Sequence, residues 1–355
     1  MKTISLCMIV RNEQDVIARC LESAADIADE IIIVDTGSDD RTKEFCALYT
    51  DKIYDFAWTD DFAAARNESY SHATMDYILW LDADDVIEPD DREKFLALKN
   101  TLTDEDVIYC RYHVAFDEDG KPVYSFFRER LTKRETGFVW EGFVHECIEP
   151  RGKLLYSDAA VCHRKLRAAE PGRNLRIYRK TLASGKELSP RHLFYFAREL
   201  YYNKLYEEAA ENFRRFLGDG KGWYVNCIDA CSMLAECCLR TDREDEALSA
   251  LFESFRYDRP HAEICCQIGE RFTAAQKYDT AVYWYETALK CKPHPENGGF
   301  VVSDCYDIVP LLQLCVCYDR LGQYDKAAEF NRFAAAVRPN HPAVLANLEY
   351  FSKRK

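Results

Sequence analysis

The sequence has no apolar run long enough to cross a membrane. Its N-terminal run, residues 4–10, meets Arg11 after seven residues. A span needs about 20 apolar residues, and the core of a secretory leader is also longer as a rule. The sequence therefore predicts a cytoplasmic chain with no transmembrane segment. Glycine and proline are scarce, 14 and 11 of 355 residues, which excludes collagen-like and low-complexity chains. Basic residues are in deficit, 47 Lys and Arg against 61 Asp and Glu, for a net charge of −14. Phosphate backbones are bound by an excess of Lys and Arg, so no nucleic-acid partner is expected. Neither GxGxxG nor GKS/T follows the first apolar strand, which removes the dinucleotide fingerprint and the P-loop. The 16 cysteines contain no CxxC pair. That argues against a cysteine-rich zinc site and for reduced thiols used as small buried residues.

What is present divides the chain. At about 150 residues per domain, a chain of this length makes two or three domains. With 48% hydrophobic and 30% charged residues, it has apolar matter for more than one core. Residues 1–165 carry 20 Lys and Arg against 35 Asp and Glu, whereas the remainder carries 27 against 26. The acidic first part is the place to look for a divalent cation.

Residues 4–10, 30–34, 52–58 and 77–81 read as strands, with helices at 13–25, 41–49 and 62–73 between them. Such alternation indicates βαβ units around a buried parallel sheet. After a helix near 92–102 the pattern changes. Residues 107–115 and 122–127 flank Asp117-Glu118-Asp119-Gly120, a hairpin signal, and strand-like sequence runs on to about Cys162. The first domain is predicted to be α/β, a Rossmann-like open sheet extended by antiparallel strands.

From Asn174 onward only helical periodicity remains, and it repeats. Leu205-Tyr206-Glu207-Glu208-Ala209 has counterparts whose small residues are Ala247, Ala281 and Ala327, at intervals of 38, 34 and 46. Three units close on a basic residue and proline: Arg259-Pro260, Lys292-Pro293 and Arg338-Pro339. A small residue lets paired helices approach, and proline stops the second helix. The longer intervals hold loop insertions at 218–222 and 294–299. The pattern resembles the tetratricopeptide repeat, whose period is about 34 residues. The expected division is a first domain at 1–165, a helical linker at 166–190, and an all-α repeat solenoid at 191–355. The solenoid would have about four repeats and a capping helix at 342–351.

In an open α/β sheet, ligands bind beyond the C-terminal ends of the strands. Three polar clusters stand there: Arg11-Asn12-Glu13, Asp35 through Asp40, and Asp82-Ala83-Asp84-Asp85. Asp82 and Asp84, two apart after a strand, can turn toward one ion, and carboxylate oxygens suit Mg²⁺ or Mn²⁺.

These clusters, together with Ala65-Arg66-Asn67 and in this order, resemble a family 2 glycosyltransferase of the GT-A fold, of the bacterial kind with C-terminal tetratricopeptide repeats. The resemblance implies inverting transfer from a UDP-sugar with Mn²⁺ or Mg²⁺. It places Val10, Asn12 and Glu13 under the nucleoside, with Asp35 accepting from the uracil and Arg66 against the uracil or diphosphate. Asp82 and Ala83 would meet the ribose or metal, with Asp84, Asp82 and His163 as metal ligands. In Gly137–Glu146 it offers Glu146 as the base, with Glu141 in reserve, and Trp140 as a wall against a sugar. The acceptor would be a peptide or protein held by the repeats, or else a polysaccharide or lipid-linked glycan. Self-association through the repeats is a further expectation. From a different class, the chain would be a repeat scaffold with an inactive transferase domain.

Overall fold

The computed structural model describes residues 1–116, 120–166, 170–293 and 301–353. The hairpin tip at Asp117–Asp119 and the insertion at 294–299 lie outside them. The chain falls into two units, Met1–Glu187 and Leu188–Lys355.

The first unit is a sheet with helices on both faces. In chain order it contains β1 (Ile4–Val10), α1 (Ile17–Ala24), β2 (Glu30–Asp35), α2 (Thr42–Cys46), β3 (Ile53–Asp55), α3 (Phe62–Ser71) and β4 (Tyr77–Trp80). Next come β5 (Asp85–Val86), α4 (Pro89–Thr101), β6 (Val107–Phe116), β7 (Pro122–Lys133), β8 (Trp140–Glu141), β9 (Cys147–Ile148), β10 (Leu154–His163) and α5 (Arg173–Ala183). Strand order is β3-β2-β1-β4-β7-β6-β10-β5, and β8 and β9 form a separate pair. The first four strands are parallel. Then β7 runs antiparallel to β4 and β6 to β7, β10 is parallel to β6, and β5 closes the edge antiparallel to β10.

β4, and β1 apart from Ser5, read as apolar runs because both of their faces are covered. Leu6, Met8 and Leu79 pack with α1, α2 and α4, through Ile17, Leu21, Cys46 and Phe95. Cys7, Ile78 and Trp80 pack on the other face with α3 and the β8–β9 pair, through Ala63, Tyr70, Trp140 and Ile148. α3 begins where the Asp61 carboxylate accepts the Ala64 N–H at 2.9 Å, an ordinary N-cap.

Three boundaries differ from the sequence reading. The helix expected at 13–25 starts only at Ile17. β7 continues six residues past Phe127, to Lys133. The first unit extends beyond residue 165: α5 buries Leu175, Ile177 and Tyr178, the Tyr178 ring meets Phe143, and Lys180 pairs with Asp60. Most of the stretch read as a linker thus belongs to the first unit.

The second unit is helical throughout its described residues: α6 (Pro190–Tyr202), α7 (Tyr206–Asp219), α8 (Tyr224–Leu239), α9 (Glu244–Glu253), α10 (Ala262–Ala274), α11 (Tyr278–Ala288), α12 (Ile308–Arg320), α13 (Tyr324–Val337) and α14 (Pro342–Ser352). The first eight make four hairpins. Ala209, Ala247, Ala281 and Ala327 are each fully buried, as close helix pairing requires. At Gly269 a Cβ would come within 2.8 Å of the Tyr285 ring, so α10 and α11 touch there through hydrogen. Each hairpin turns through a left-handed residue, Lys204, Asp242, Gln276 or Gly322, and these recur at the same intervals as the alanines. All 16 cysteines are unpaired and most are buried. No helix of the described residues is long and apolar enough to cross a membrane.

Candidate active site

A cleft of about 970 Å³ lies in the first unit at the C-terminal ends of β1 and β4. Its floor comes from Ile9 through Glu13 and Thr36, and its acidic side from Asp82, Ala83 and Asp84. Glu146 and His163 complete that side, and Trp80, Tyr112 and Arg128 also line it.

The centre of the site is Arg66, which is buried. Its Nη2 donates to Asp82 at 2.7 Å and its Nε to Glu146 at 2.6 Å. The guanidinium lies over Trp80 and Trp140, 4.7 and 4.9 Å from the ring centroids. Burial works against charge on Arg66, but the two carboxylates outweigh it and push its pKa up. For Asp82, burial again opposes the charged form. The Arg66 and Arg130 charges prevail and hold the carboxyl at about 2.

Asp84 Oδ1 lies 3.4 Å from His163 Nδ1. Hydrogen bonding to Asp84, and next to Asp85, raises the His163 pKa to about 9. Asp84, Asp85 and His163 each offer a ligand atom, all within 4.8 Å of one another. The carboxylate oxygens suit Mn²⁺ or Mg²⁺, and an imidazole nitrogen beside them suits Mn²⁺ better than Mg²⁺. Asp85 is already engaged. It is fully buried, with Oδ2 2.9 Å from Arg130 Nη1 and Oδ1 accepting from the Tyr112 hydroxyl at 2.9 Å. Burial, with Asp85 beside it, pushes the Tyr112 pKa far above its ordinary value, so Tyr112 remains an O–H donor.

The other expected residues divide. Val10, Asn12 and Glu13 line the cleft. Asn12 has left-handed backbone, φ 56°, and its side-chain oxygen accepts the Asp39 N–H at 2.9 Å. It therefore ties the β2 turn to the β1 end. Asp35 is buried below the cleft rather than lining it. Its Oδ1 accepts the Gly37 and Ser38 N–H groups at 3.0 and 2.9 Å. Its Oδ2 is buried with no hydrogen-bond partner among the described residues.

Arg66 lines the cleft while paired with both carboxylates. Two expectations need correction. Trp140 is 2% exposed and absent from the cleft lining; it supports Arg66 from within the core, and its N–H and C=O are clamped by Asn67 at 2.8 and 2.9 Å. An indole so enclosed cannot face a sugar. Glu141 is exposed on β8 and away from the cleft, because β-strand alternation turns it opposite to Trp140.

Sequence reasoning missed Tyr112, Arg128 and Arg130. They sit on β6 and on the part of β7 not read as strand, where Arg128-Glu129-Arg130 has the composition of a solvated surface. It read α5 as part of a helical linker and did not bring Arg173, Asn174 and Arg176 to the cleft, which they line.

Residues 5–155 match the family model described as Glycosyl transferase family 2. The SPbeta prophage-derived glycosyltransferase SunS of Bacillus subtilis is 28% identical over 254 residues, 67% of this chain and 59% of that protein. A TPR repeat-containing protein of Synechococcus elongatus is 49% identical over 87 residues, 24% of this chain and 22% of that protein. The chain thus spans less than two thirds of the length of either relative. Among solved structures, YrrB, a TPR protein with an unusual peptide-binding site, is 18% identical with a TM-score of 0.39, covering 50% of this chain and 82% of that one. Residues 5–155, which carry the acidic turns of the cleft and the sheet except for most of β10, are a glycosyl transferase family 2 domain, followed in the chain by helical repeats of the tetratricopeptide kind.

Proposed function

We propose that the chain is an inverting glycosyltransferase that moves a sugar from a nucleotide-diphosphate donor, of the UDP-sugar type, to a nucleophile on a peptide or protein acceptor. The observation that carries this reading is the convergence of Asp82, Asp84, His163 and Glu146 around one cleft at the strand ends. Asp84, with Asp82 and His163 beside it, would hold Mn²⁺ or Mg²⁺. Bound there, the cation would offset charge on the departing diphosphate.

The chain's own residues do the rest. Asp35 holds the turn after β2 through the Gly37 and Ser38 N–H groups, next to Thr36, which lines the cleft. Arg66 fixes Glu146 relative to Asp82, so the proposed base and the donor end of the site are held by one rigid planar group. Glu146 takes the proton of the acceptor nucleophile as that nucleophile attacks the anomeric carbon from the face opposite the diphosphate. The repeats supply the acceptor surface, since stacked helix pairs present an extended concave face to peptides.

The test is a thermal-shift screen of a nucleotide-sugar panel with and without Mn²⁺, followed by donor hydrolysis with the best ligand. Stabilisation by UDP-sugars only with metal, and its loss in Asp84→Ala, support the reading. No response to any nucleotide sugar would favour a repeat scaffold. Transfer to a glycan but to no peptide would move the acceptor to the polysaccharide class.

A further inference from the structure

Arg130 reaches no solvent. Its Nη1 is 2.9 Å from Asp85 Oδ2 and donates to the Trp80 carbonyl at 3.2 Å. The guanidinium lies 3.9 Å from the Trp80 ring centroid and 4.3 Å from that of Tyr112. Its Nε and Nη2 have no hydrogen-bond partner among the described residues. Asp85 is equally buried, and both its oxygens are committed. Oδ2 also accepts the Asp82 N–H at 3.0 Å, and Oδ1 accepts the Tyr112 hydroxyl. The Tyr112 oxygen in turn lies 3.0 Å from His163 Nδ1. A carboxylate can only accept, so the Tyr112 proton points to Asp85 and its oxygen accepts from His163 Nδ1–H. The other ring nitrogen of His163 stays outside this network.

Stability alone does not account for this arrangement. A buried ion pair can often be replaced by apolar residues at no loss, and two buried guanidinium nitrogens without partners add to its cost. What the network fixes is placement. It joins β5, β6, β7 and β10 at one point, and it holds the Asp82 backbone and the His163 ring on either side of Asp84.

We infer that Arg130 and Tyr112 are positioning residues that act through Asp85 to set the Asp82–Asp84 turn and the His163 ring in the relative placement a divalent cation needs. Asp85 is the anchor of that site rather than a ligand. The inference rests on the metal-assisted reading above and assigns the residues that shape its cation site.

The experiment measures Mn²⁺ binding to the full chain by electron paramagnetic resonance with UDP present, together with UDP affinity without metal and the melting temperature. Tyr112→Phe keeps the ring against Arg130 and removes only the hydroxyl. Its Mn²⁺ Kd should rise by about 10- to 100-fold, the usual effect of losing an outer-shell partner, well beyond any change in metal-free UDP affinity, in a chain that still melts cooperatively. The double variant Arg130→Met with Asp85→Asn should weaken Mn²⁺ binding at least as much without loss of melting temperature. If it fails to fold, Tyr112→Phe decides alone. Wild-type Mn²⁺ affinity in folded Tyr112→Phe overturns the inference and leaves the proposed function standing. Absence of Mn²⁺ binding by the wild-type chain overturns both.

Discussion

The side chains of Arg66 and Glu146, eighty residues apart in sequence, are joined by a 2.6 Å charge-assisted hydrogen bond. Glu146→Gln keeps the volume and an acceptor oxygen but removes the capacity to take a proton. The expected loss of transfer rate is about 10²- to 10⁴-fold, with UDP binding retained. Glu141→Gln, on an exposed strand residue outside the cleft, should leave the rate unchanged. Steady-state rates and UDP titration of both variants check this, and the reverse pattern would return the base role to Glu141.

A second carboxylate controls stability rather than chemistry. Glu30 is buried and accepts from Ser5, Lys52 and Thr74. Burial disfavours its charge, yet these donors hold its pKa down at about 2 against an ordinary 4.5. A folded-state pKa below the unfolded one contributes stability that is present above the unfolded value and lost as pH falls through the folded value. Glu30 should therefore contribute up to about 3 kcal/mol at neutral pH, declining between pH 4.5 and 2. Urea unfolding across that range should show a shallower pH dependence in Glu30→Gln than in the wild type.

The four hairpin turns of the second unit offer a matched pair of tests. Gln276 has φ 58° and Gly322 φ 73°, the left-handed region that penalises a Cβ. Gln276→Gly should stabilise by roughly 0.5–1 kcal/mol, and Gly322→Ala should destabilise by about 1 kcal/mol. The glycine has no atom within 4 Å of its Cβ position, so the second effect is conformational rather than steric. Thermal unfolding of the two variants, with opposite signs of shift, is the measurement.

Because α5 lines the mouth of the cleft, the end point of a shortened chain matters. A chain ending at Glu187 should bind UDP with Mn²⁺. One ending at Lys165, without Arg173, Asn174 and Arg176, should bind it at least about tenfold more weakly. Isothermal titration of the two chains distinguishes them, and equal affinities would remove α5 from the donor site.

Much of this was legible in the sequence because one-dimensional signals match the physics. β1 was readable because a strand covered on both faces is almost wholly apolar, and the repeats because a buried alanine recurs at each hairpin. The acidic turn after β4 stood out because polar residues end an apolar strand there. What escaped reading depended on partners distant in sequence. Arg130 looks like a surface cation until Asp85, Trp80 and Tyr112 surround it. Trp140 looks like a sugar platform until the clamp from Asn67 and the α3 packing enclose it. The two-residue β5 carries no periodicity at all and exists only through its pairing with β10.

That pairing bears on the order of assembly. β1 through β4 can pair as soon as they leave the ribosome, since each finds its neighbours within the first part of the chain. Among the described residues, the strand that follows the acidic turn has one partner, at Cys162 and His163. Long-range pairing of this kind is slow, because the loop must close before any contact rewards it. During synthesis the nascent sheet would thus stand with its acidic turn unpinned, and the proposed cation site would come into being with the last strand of the sheet rather than the first.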